Sequence, residues 1–210
     1  MVREVNGHPI GPGAYLRGAD LSGADLKEAH LEEAFLHSAD LRGAQLGWSF
    51  LRGAELQGAD LTDADLRFAS FIDANLAKAS LVGAKMQGAK MQAAFLEETD
   101  MASADLSQAD LSRATMTRAT LRGAQMRQAF LYGAKASDAD FRDAALLAAN
   151  CRRTVFAAAD LRDADMRGAD LRSADLTDAR LLGARYDDGT RLDDGFDPVA
   201  AGMLFVDEDQ

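Results

Sequence analysis

The stretch Ala19-Asp20-Leu21-Ser22-Gly23 sets the pattern for most of this chain of 210 residues. An apolar residue stands at position 16 and at every fifth position after it up to 186, without an insertion or deletion. It is leucine at 23 of these 35 positions, and alanine stands two residues before it at 32 of them. A period of five fits neither the spacing along a helix face nor the alternation of a strand. The repeat therefore requires another architecture.

Each unit is explained best as one short side of a coil, with two of its five residues turned inward. The leucine projects toward the axis and fills the interior, whereas the alanine stays small because it lies near a corner where backbone approaches backbone. The other three residues face outward. This arrangement predicts that Leu61, Leu81 and Leu121 meet in one central core.

The units Ala19-Asp20-Leu21-Ser22-Gly23, Ala59-Asp60-Leu61-Thr62-Asp63 and Ala169-Asp170-Leu171-Arg172-Ser173 resemble the pentapeptide-repeat family. The resemblance covers residues 14–186, and 35 uninterrupted copies make it very specific. It implies an all-β fold, a right-handed quadrilateral parallel β-helix with four repeats in each coil. Such a solenoid would contain about nine coils, each covering the next.

We expect three segments along the chain. Residues 1–13 should form an N-terminal cap, residues 14–186 the β-helix, and residues 187–210 a C-terminal cap that ends in an acidic tail. Asp197 and Pro198 are typical of a helix N-cap followed by proline at the first helical position, which predicts a short helix in the C-terminal cap. The apolar residues expected to cover the last coil are Phe196, Met203, Leu204 and Phe205.

The composition favours a cytoplasmic protein. The first dozen residues lack the apolar run of a secretory signal, and no stretch approaches the eighteen or so apolar residues of a membrane span. The single cysteine, Cys151, has no partner for a disulfide, as is usual in a reducing compartment. We expect no membrane contact.

The charge of −11 is concentrated at one end of the chain. Residues 187–210 hold eight acidic residues against Arg191 alone, so the rest of the chain carries only −4. One predicted side nevertheless carries an acidic column, which comprises Asp20, Asp40, Asp60, Asp100, Asp140 and Asp160. Arginines two residues further along favour a solvated, charge-paired surface. The alternative is that the column imitates DNA phosphates. The family resemblance implies this alternative, because one branch of the family protects gyrase and confers quinolone resistance.

Exposed aromatic residues form a second candidate surface. Phe35 and Phe50 precede a central position, whereas Trp48 and Phe68 follow one by two residues. Trp48 and Phe68 are twenty residues apart and should stack on one side of a four-sided coil. These four residues could form a partner site, or the rings could simply cover the corner of a neighbouring coil.

The sequence offers little for catalysis or cofactor binding. The only histidines are His8, His30 and His37, and the predicted coil places His30 and His37 on different sides. Two such ligands without a third do not make a convincing metal site. We therefore expect a non-catalytic rigid scaffold or protein-binding module, without cofactor, metal or direct nucleic-acid binding. DNA mimicry toward gyrase is the alternative, and the C-terminal cap is a candidate homodimer surface.

Overall fold

The structure, a computed structural model, describes residues 3–207 and stacks the chain into a four-sided rod. Parallel bridges join each residue before a central position to its equivalent twenty residues later, from Tyr15↔Phe35 to Asp165↔Arg185. Since these bridged positions recur every five residues, one coil has four sides. The extremes of the predicted caps, residues 1–2 and 208–210, lie outside the described residues.

Each side consists of one bridge residue and one tight turn. In the first unit the Ala19 N–H donates to the Leu16 carbonyl at 3.1 Å, and Gly18 between them has a φ of +64°. A positive φ at this third position is typical of a type II turn. The Leu16 N–H then donates to the Phe35 carbonyl of the next coil at 2.8 Å. The backbone is thus paired within the coil and between coils, without long strands.

The interior confirms the steric prediction. Leu61, Leu81 and Leu121 are all fully buried, and the alanines at the corners are buried with them. Three corner positions carry a hydroxyl instead of alanine, and each hydroxyl donates to a backbone carbonyl. These residues are Ser49, Thr99 and Thr154. Because a buried hydroxyl without a partner costs stability, this pairing explains why the exceptions are tolerated.

An antiparallel hairpin covers the N-terminal end of the rod. It comprises β1 (Arg3–Val5) and β2 (His8–Ile10), with Val5 paired to His8. The turn between them holds Asn6 at a φ of 51° and Gly7 at 78°. Two successive positive φ values are typical of a type I′ hairpin turn, for which Asn-Gly is a favoured sequence. Ile10 is buried in the common core and Val5 packs against it.

The predicted C-terminal helix is wrong. Asp197 does cap a turn, because its carboxylate accepts the N–H groups of Val199 and Ala200 at 3.0 Å. Within residues 3–207, however, no helix forms. Gly202 has a φ of +81° and ends the turn, and the Leu204 N–H donates to the Ala184 carbonyl. Parallel pairing to the preceding coil therefore prevails over the local helix signals.

This pairing joins β3 (Arg185–Tyr186) to β4 (Leu204–Phe205). Of the four residues expected to cover the last coil, Met203 is buried and Phe196 packs against the core. Leu204 and Phe205 are instead 56% and 51% exposed, because β4 lies alongside the previous coil rather than across it. In the described part of the chain, no helix is long and apolar enough to span a membrane.

Candidate protein-binding surface

The aromatic residues singled out in the sequence lie mainly beside one corner of the rod. Two columns flank this corner, each recurring every twenty residues, one from Glu28 to Ala148 and the other from His30 to Asn150. We call the surface between these two columns the corner groove. Its floor consists of the small buried residues between the columns, such as Ser49 and Ala69.

Aromatic rings stack along both walls of the corner groove. The rings of Trp48 and Phe68 lie 4.3 Å apart between centroids and 19° from parallel, which confirms the stack predicted from their spacing. On the opposite wall the His30 and Phe50 rings are 4.8 Å apart and 12° from parallel. Such stacked pairs each contribute about 0.5–1.5 kcal/mol beyond the area they bury.

These rings nevertheless remain open to solvent. Trp48 is 58% exposed, and Phe50 and Phe68 are each more than 40% exposed. Trp48 and Phe68 also occupy the left-handed turn position, with φ values of 62° and 60°. A left-handed residue other than glycine costs about 1–2 kcal/mol. The same turn position is left-handed throughout the repeat body, with glycine or another residue, so the exposure of the two rings rather than their backbone conformation distinguishes them.

A hollow of about 400 Å³, open on one side, lies between the two walls. Its lining includes Trp48, Phe50 and Phe68, with Glu28 and Lys90 among the charged residues. Gly88 also lines it, because the Phe68 ring leans over this glycine. A Cβ built on Gly88 would come within 2.6 Å of that ring. The missing side chain therefore lets the ring lie flat along the wall.

The fourth predicted aromatic residue, Phe35, belongs to a different stack. Its ring lies 5.0 Å from that of Tyr15 and 6.5 Å from that of His37, on the neighbouring side of the rod. The corner groove instead includes His30 and, further along, Phe130, neither of which was assigned to the aromatic surface from the sequence. The twenty-residue spacing of His30 and Phe50 is the signal that could have identified His30.

The acidic column serves mainly to fix the turns. Each of its six carboxylates accepts the backbone N–H two residues further along, as Asp20 does from Ser22 at 3.0 Å. Three of them also bind an arginine side chain through two hydrogen bonds. These pairs are Asp40 with Arg42, Asp140 with Arg142, and Asp160 with Arg162. The column is therefore partly neutralised by arginine.

The arginines also change the acidity of the column. Hydrogen bonds from the Arg162 side chain hold the pKa of Asp160 below its usual value, and the Arg162 backbone N–H acts in the same direction. The Asp160 side chain is only 17% exposed, and Arg142 and Arg180 approach it at 3.9 Å. Asp160 is therefore the most heavily paired carboxylate of the acidic column.

Replacing Asp160 with asparagine is expected to lower the free energy of unfolding by about 1–2 kcal/mol at pH 7, because its hydrogen bonds to arginine lose their charge. The pKa is lower in the folded chain than in the unfolded one, so this stabilisation is present above about pH 4 and is lost as the pH falls through the folded value. Urea unfolding between pH 7 and pH 2 should show the difference between wild type and variant shrinking.

Asp63→Asn is the matched control, since no hydrogen bond or ion pair of this exposed side chain is found within residues 3–207. It should leave the stability nearly unchanged at every pH. A difference for Asp160→Asn that stayed constant down to pH 2 would contradict the assignment to charge.

The thiol of Cys151 and the imidazoles of His30 and His37 lie in separate environments. Burial raises the pKa of the Cys151 thiol to about 12, so the thiol stays protonated at neutral pH and is a poor nucleophile. His30 Nδ1 lies 3.0 Å from a carboxylate oxygen of Glu32, whereas His37 lies on another side of the rod. Among residues 3–207, no group of three His, Cys, Asp or Glu side chains could hold a metal ion.

Comparison with solved structures supports this architecture. HetL is a pentapeptide-repeat protein involved in heterocyst differentiation regulation in the cyanobacterium Nostoc sp. strain PCC 7120. It is 32% identical to this chain, with 82% of this chain and 84% of HetL covered and a TM-score of 0.64. QnrB1, a plasmid-mediated fluoroquinolone resistance protein, has a TM-score of 0.70 over 77% of this chain and 82% of its own, but at 18% identity the likeness concerns the fold alone.

The family model for pentapeptide repeats matches eight copies in this chain. The matched residues are 13–47, 39–77, 51–88, 79–118, 114–146 and 149–185. No curated protein matches the chain. Proteins of this family form right-handed quadrilateral β-helices, and the twenty-residue register of this chain likewise gives four sides in each coil. The repeat, the four-sided coil and the likeness to HetL together establish that the chain belongs to the pentapeptide-repeat family.

Proposed function

We propose that this protein is a non-catalytic, rigid rod that binds another protein through the corner groove. The observation that carries the proposal is the group of exposed rings on one corner, Trp48, Phe50 and Phe68. Exposed aromatic clusters in a shallow depression are typical of protein-binding sites. The interior of the rod is filled by leucine and alanine, which leaves the outer surface as the place of recognition.

A photo-crosslinking experiment tests this proposal. A benzoylphenylalanine probe placed at Ser70, which lines the hollow, should form a discrete adduct with a partner in cells. The same probe at Asn75 is the control, because Asn75 occupies the same repeat position in the same coil on the next side. Adding Trp48→Ala and Phe68→Ala to the Ser70 probe should abolish the adduct. An adduct that persists unchanged in this variant would contradict the proposal.

The competing interpretation is that the rings only cover the corner of a neighbouring coil. In that case Trp48→Ala lowers stability and leaves binding unchanged. Phe95→Ala provides the control, since Phe95 is a similarly exposed aromatic residue on another side of the rod, at the repeat position of Phe50. The proposal requires that Trp48→Ala reduces the adduct and that Phe95→Ala does not.

DNA mimicry toward gyrase is the second hypothesis, and the acidic column is the observation that favours it. A phosphate mimic should exclude cations, yet Arg42, Arg142 and Arg162 are bound to this column. We therefore expect no inhibition of supercoiling by bacterial DNA gyrase at equimolar protein. Inhibition that is lost when Asp60 and Asp100 are replaced by asparagine would instead favour mimicry.

We further propose that two copies associate through the C-terminal end of the rod. An open hollow of about 300 Å³ there exposes part of the core at Ala174 and Leu176, and Leu204 and Phe205 of β4 are exposed as well. The N-terminal hairpin leaves no comparable exposure at Ile10. Analytical ultracentrifugation should detect a dimer that Phe205→Asp dissociates. A monomer at high concentration would exclude this mode of association.

A further inference from the structure

The corner groove continues beyond the aromatic hollow along the same corner. A second hollow of about 440 Å³ lies further along the rod, lined by Gln108, Gln128 and Phe130 together with Ala148 and Asn150. Its residues belong to the same two columns as Trp48 and Phe50, several coils further on. From Glu28 to Ala148 there are six coil steps, which correspond to about 29 Å at the spacing of a β-ladder. The corner groove is therefore long enough for an extended peptide.

The backbone of the corner groove has no free strand edge to offer such a peptide. The Trp48 N–H donates to the Arg67 carbonyl, the Phe50 N–H to the Ala29 carbonyl, and the Ser70 N–H to the Ser49 carbonyl. A ligand that binds by adding a strand to a sheet needs unpaired backbone groups. The corner groove therefore favours a ligand whose conformation requires no strand partner.

Two conformations require no strand partner, the polyproline II helix and the α-helix, and the spacing of the coils distinguishes between them. A polyproline II helix repeats every three residues, or about 9.3 Å, and two coils span about 9.6 Å. Over six coils the two periods drift apart by only about 1 Å. An α-helix has a pitch of about 5.4 Å against about 4.8 Å per coil, so it drifts by more than 3 Å over the same distance. The periodicity favours polyproline II.

Several polar groups along the corner groove are hydrogen-bond donors for which the described part of the chain supplies no acceptor. Within residues 3–207, no protein acceptor is found for the indole N–H of Trp48, the ammonium group of Lys90 or the side-chain amide N–H groups of Gln128. A polyproline II segment leaves its carbonyls unpaired, and proline contributes an acceptor but no N–H. A groove with aromatic walls and hydrogen-bond donors that have no acceptor among the described residues is therefore complementary to a proline-rich segment.

The charge of Glu28 makes the two ends of the corner groove different, and this difference would orient a bound peptide. Glu28 lines the end nearest the N-terminus of the chain, and no cation pairs with it among the described residues. Beyond it, between positions 48 and 150, Lys90 and Asp110 are the only charged residues of the two columns. A peptide with a basic residue beside Glu28 and a neutral segment after it would match both the carboxylate and the nearly uncharged surface that follows.

We propose that the corner groove binds a proline-rich segment of about nine residues in the polyproline II conformation, with a lysine or arginine at the end beside Glu28. The inference rests on the proposed function and specifies its partner. Prolines would pack against the rings of Trp48, Phe50 and Phe130, and carbonyls of the segment would accept from Trp48 and Gln128.

Fluorescence anisotropy with synthetic nine-residue peptides tests the proposal on the full chain. A peptide with arginine first and prolines at six positions should bind saturably, and the same peptide with alanines in place of the prolines should bind at least tenfold more weakly. Replacing the arginine with glutamate should weaken binding to the wild type but make no difference to a Glu28→Gln variant. An α-helical amphipathic peptide that binds better than the proline-rich one would overturn the proposal.

Variants of the protein complete the test. Trp48→Ala should weaken binding about tenfold, which equals about 1.4 kcal/mol, and Phe95→Ala should not change it. Trp48→Phe keeps a stacked ring but removes the indole N–H, so it should give an intermediate loss even if Trp48→Ala proves unstable. If no proline-rich peptide binds while the Ser70 probe still forms its adduct, this inference fails and the proposed function stands. Failure of the adduct removes the proposed function as well.

Discussion

Replacing Leu81 with alanine is expected to lower the free energy of unfolding by about 2–5 kcal/mol. Leu81 is fully buried, in the middle of a column that continues to Leu61 in one direction and Met101 in the other. Because bridges hold these coils in fixed register, the neighbouring side chains cannot collapse far into the space that the leucine leaves. Urea unfolding, followed by circular dichroism and by the fluorescence of the single tryptophan, Trp48, measures the loss.

The control for this substitution is Lys85→Ala, which changes an exposed side chain in the same coil. It should alter the free energy of unfolding by less than about 0.5 kcal/mol. If Leu81→Ala cost no more than this control, the interior at Leu81 would not be closely packed and the inward assignment of the leucines would lose its energetic basis.

A proline at Lys85 is expected to destabilise the rod by about 1–3 kcal/mol, because it removes a buried ladder hydrogen bond. The Lys85 N–H donates to the Ala64 carbonyl of the preceding coil at 2.9 Å. In the same coil, Val82 is the second residue of the turn that begins at Leu81, and no acceptor is found for its N–H within the described residues. Proline is favoured at this turn position.

Val82→Pro is therefore the matched substitution, and it should leave the melting temperature unchanged or raise it slightly. Thermal unfolding of both variants, measured by circular dichroism, tests the pair together. Equal destabilisation by Val82→Pro and Lys85→Pro would show that the division into ladder and turn positions is wrong.

The repeat body was predictable because one steric rule acts at every unit. Leucine must reach the axis and alanine must fit the corner, so Leu61 and Ala59 follow from size alone. The number of sides did not follow from the period of five and came from the family resemblance. The bridges between residues twenty apart, such as Tyr15 and Phe35, now show it directly.

The two ends were harder to predict, for opposite reasons. At the N-terminus a local signal was present in Asn6 and Gly7, and the hairpin could have been predicted from it. At the C-terminus the local signal was misleading, because Asp197 and Pro198 favour a helix that so short a segment cannot sustain alone. The hydrogen bond from Leu204 to Ala184 depends on the coil below, which no local pattern reveals.

The corner groove was predictable in position but not in shape. The spacing of Trp48 and Phe68 placed both rings in one stack, and the structure confirms it. The same spacing relates His30 to Phe50, but the histidine was considered only as a metal ligand. The hollow itself depends on how the Phe68 ring lies over Gly88, and side-chain orientation is not encoded in a repeat pattern.

Four units make one turn of this rod, so the number of residues between two positions determines the angle between them around the axis. Five residues inserted between Phe68 and Gln128 would rotate everything beyond the insertion by about 90°. Phe130 would then leave the side that holds Phe50, although every leucine would still face the axis. Twenty inserted residues would only separate the two by about another 4.8 Å. Insertions of twenty residues therefore lengthen the rod and keep its surface columns aligned. Insertions of five, ten or fifteen residues preserve the fold but change which side chains share a side.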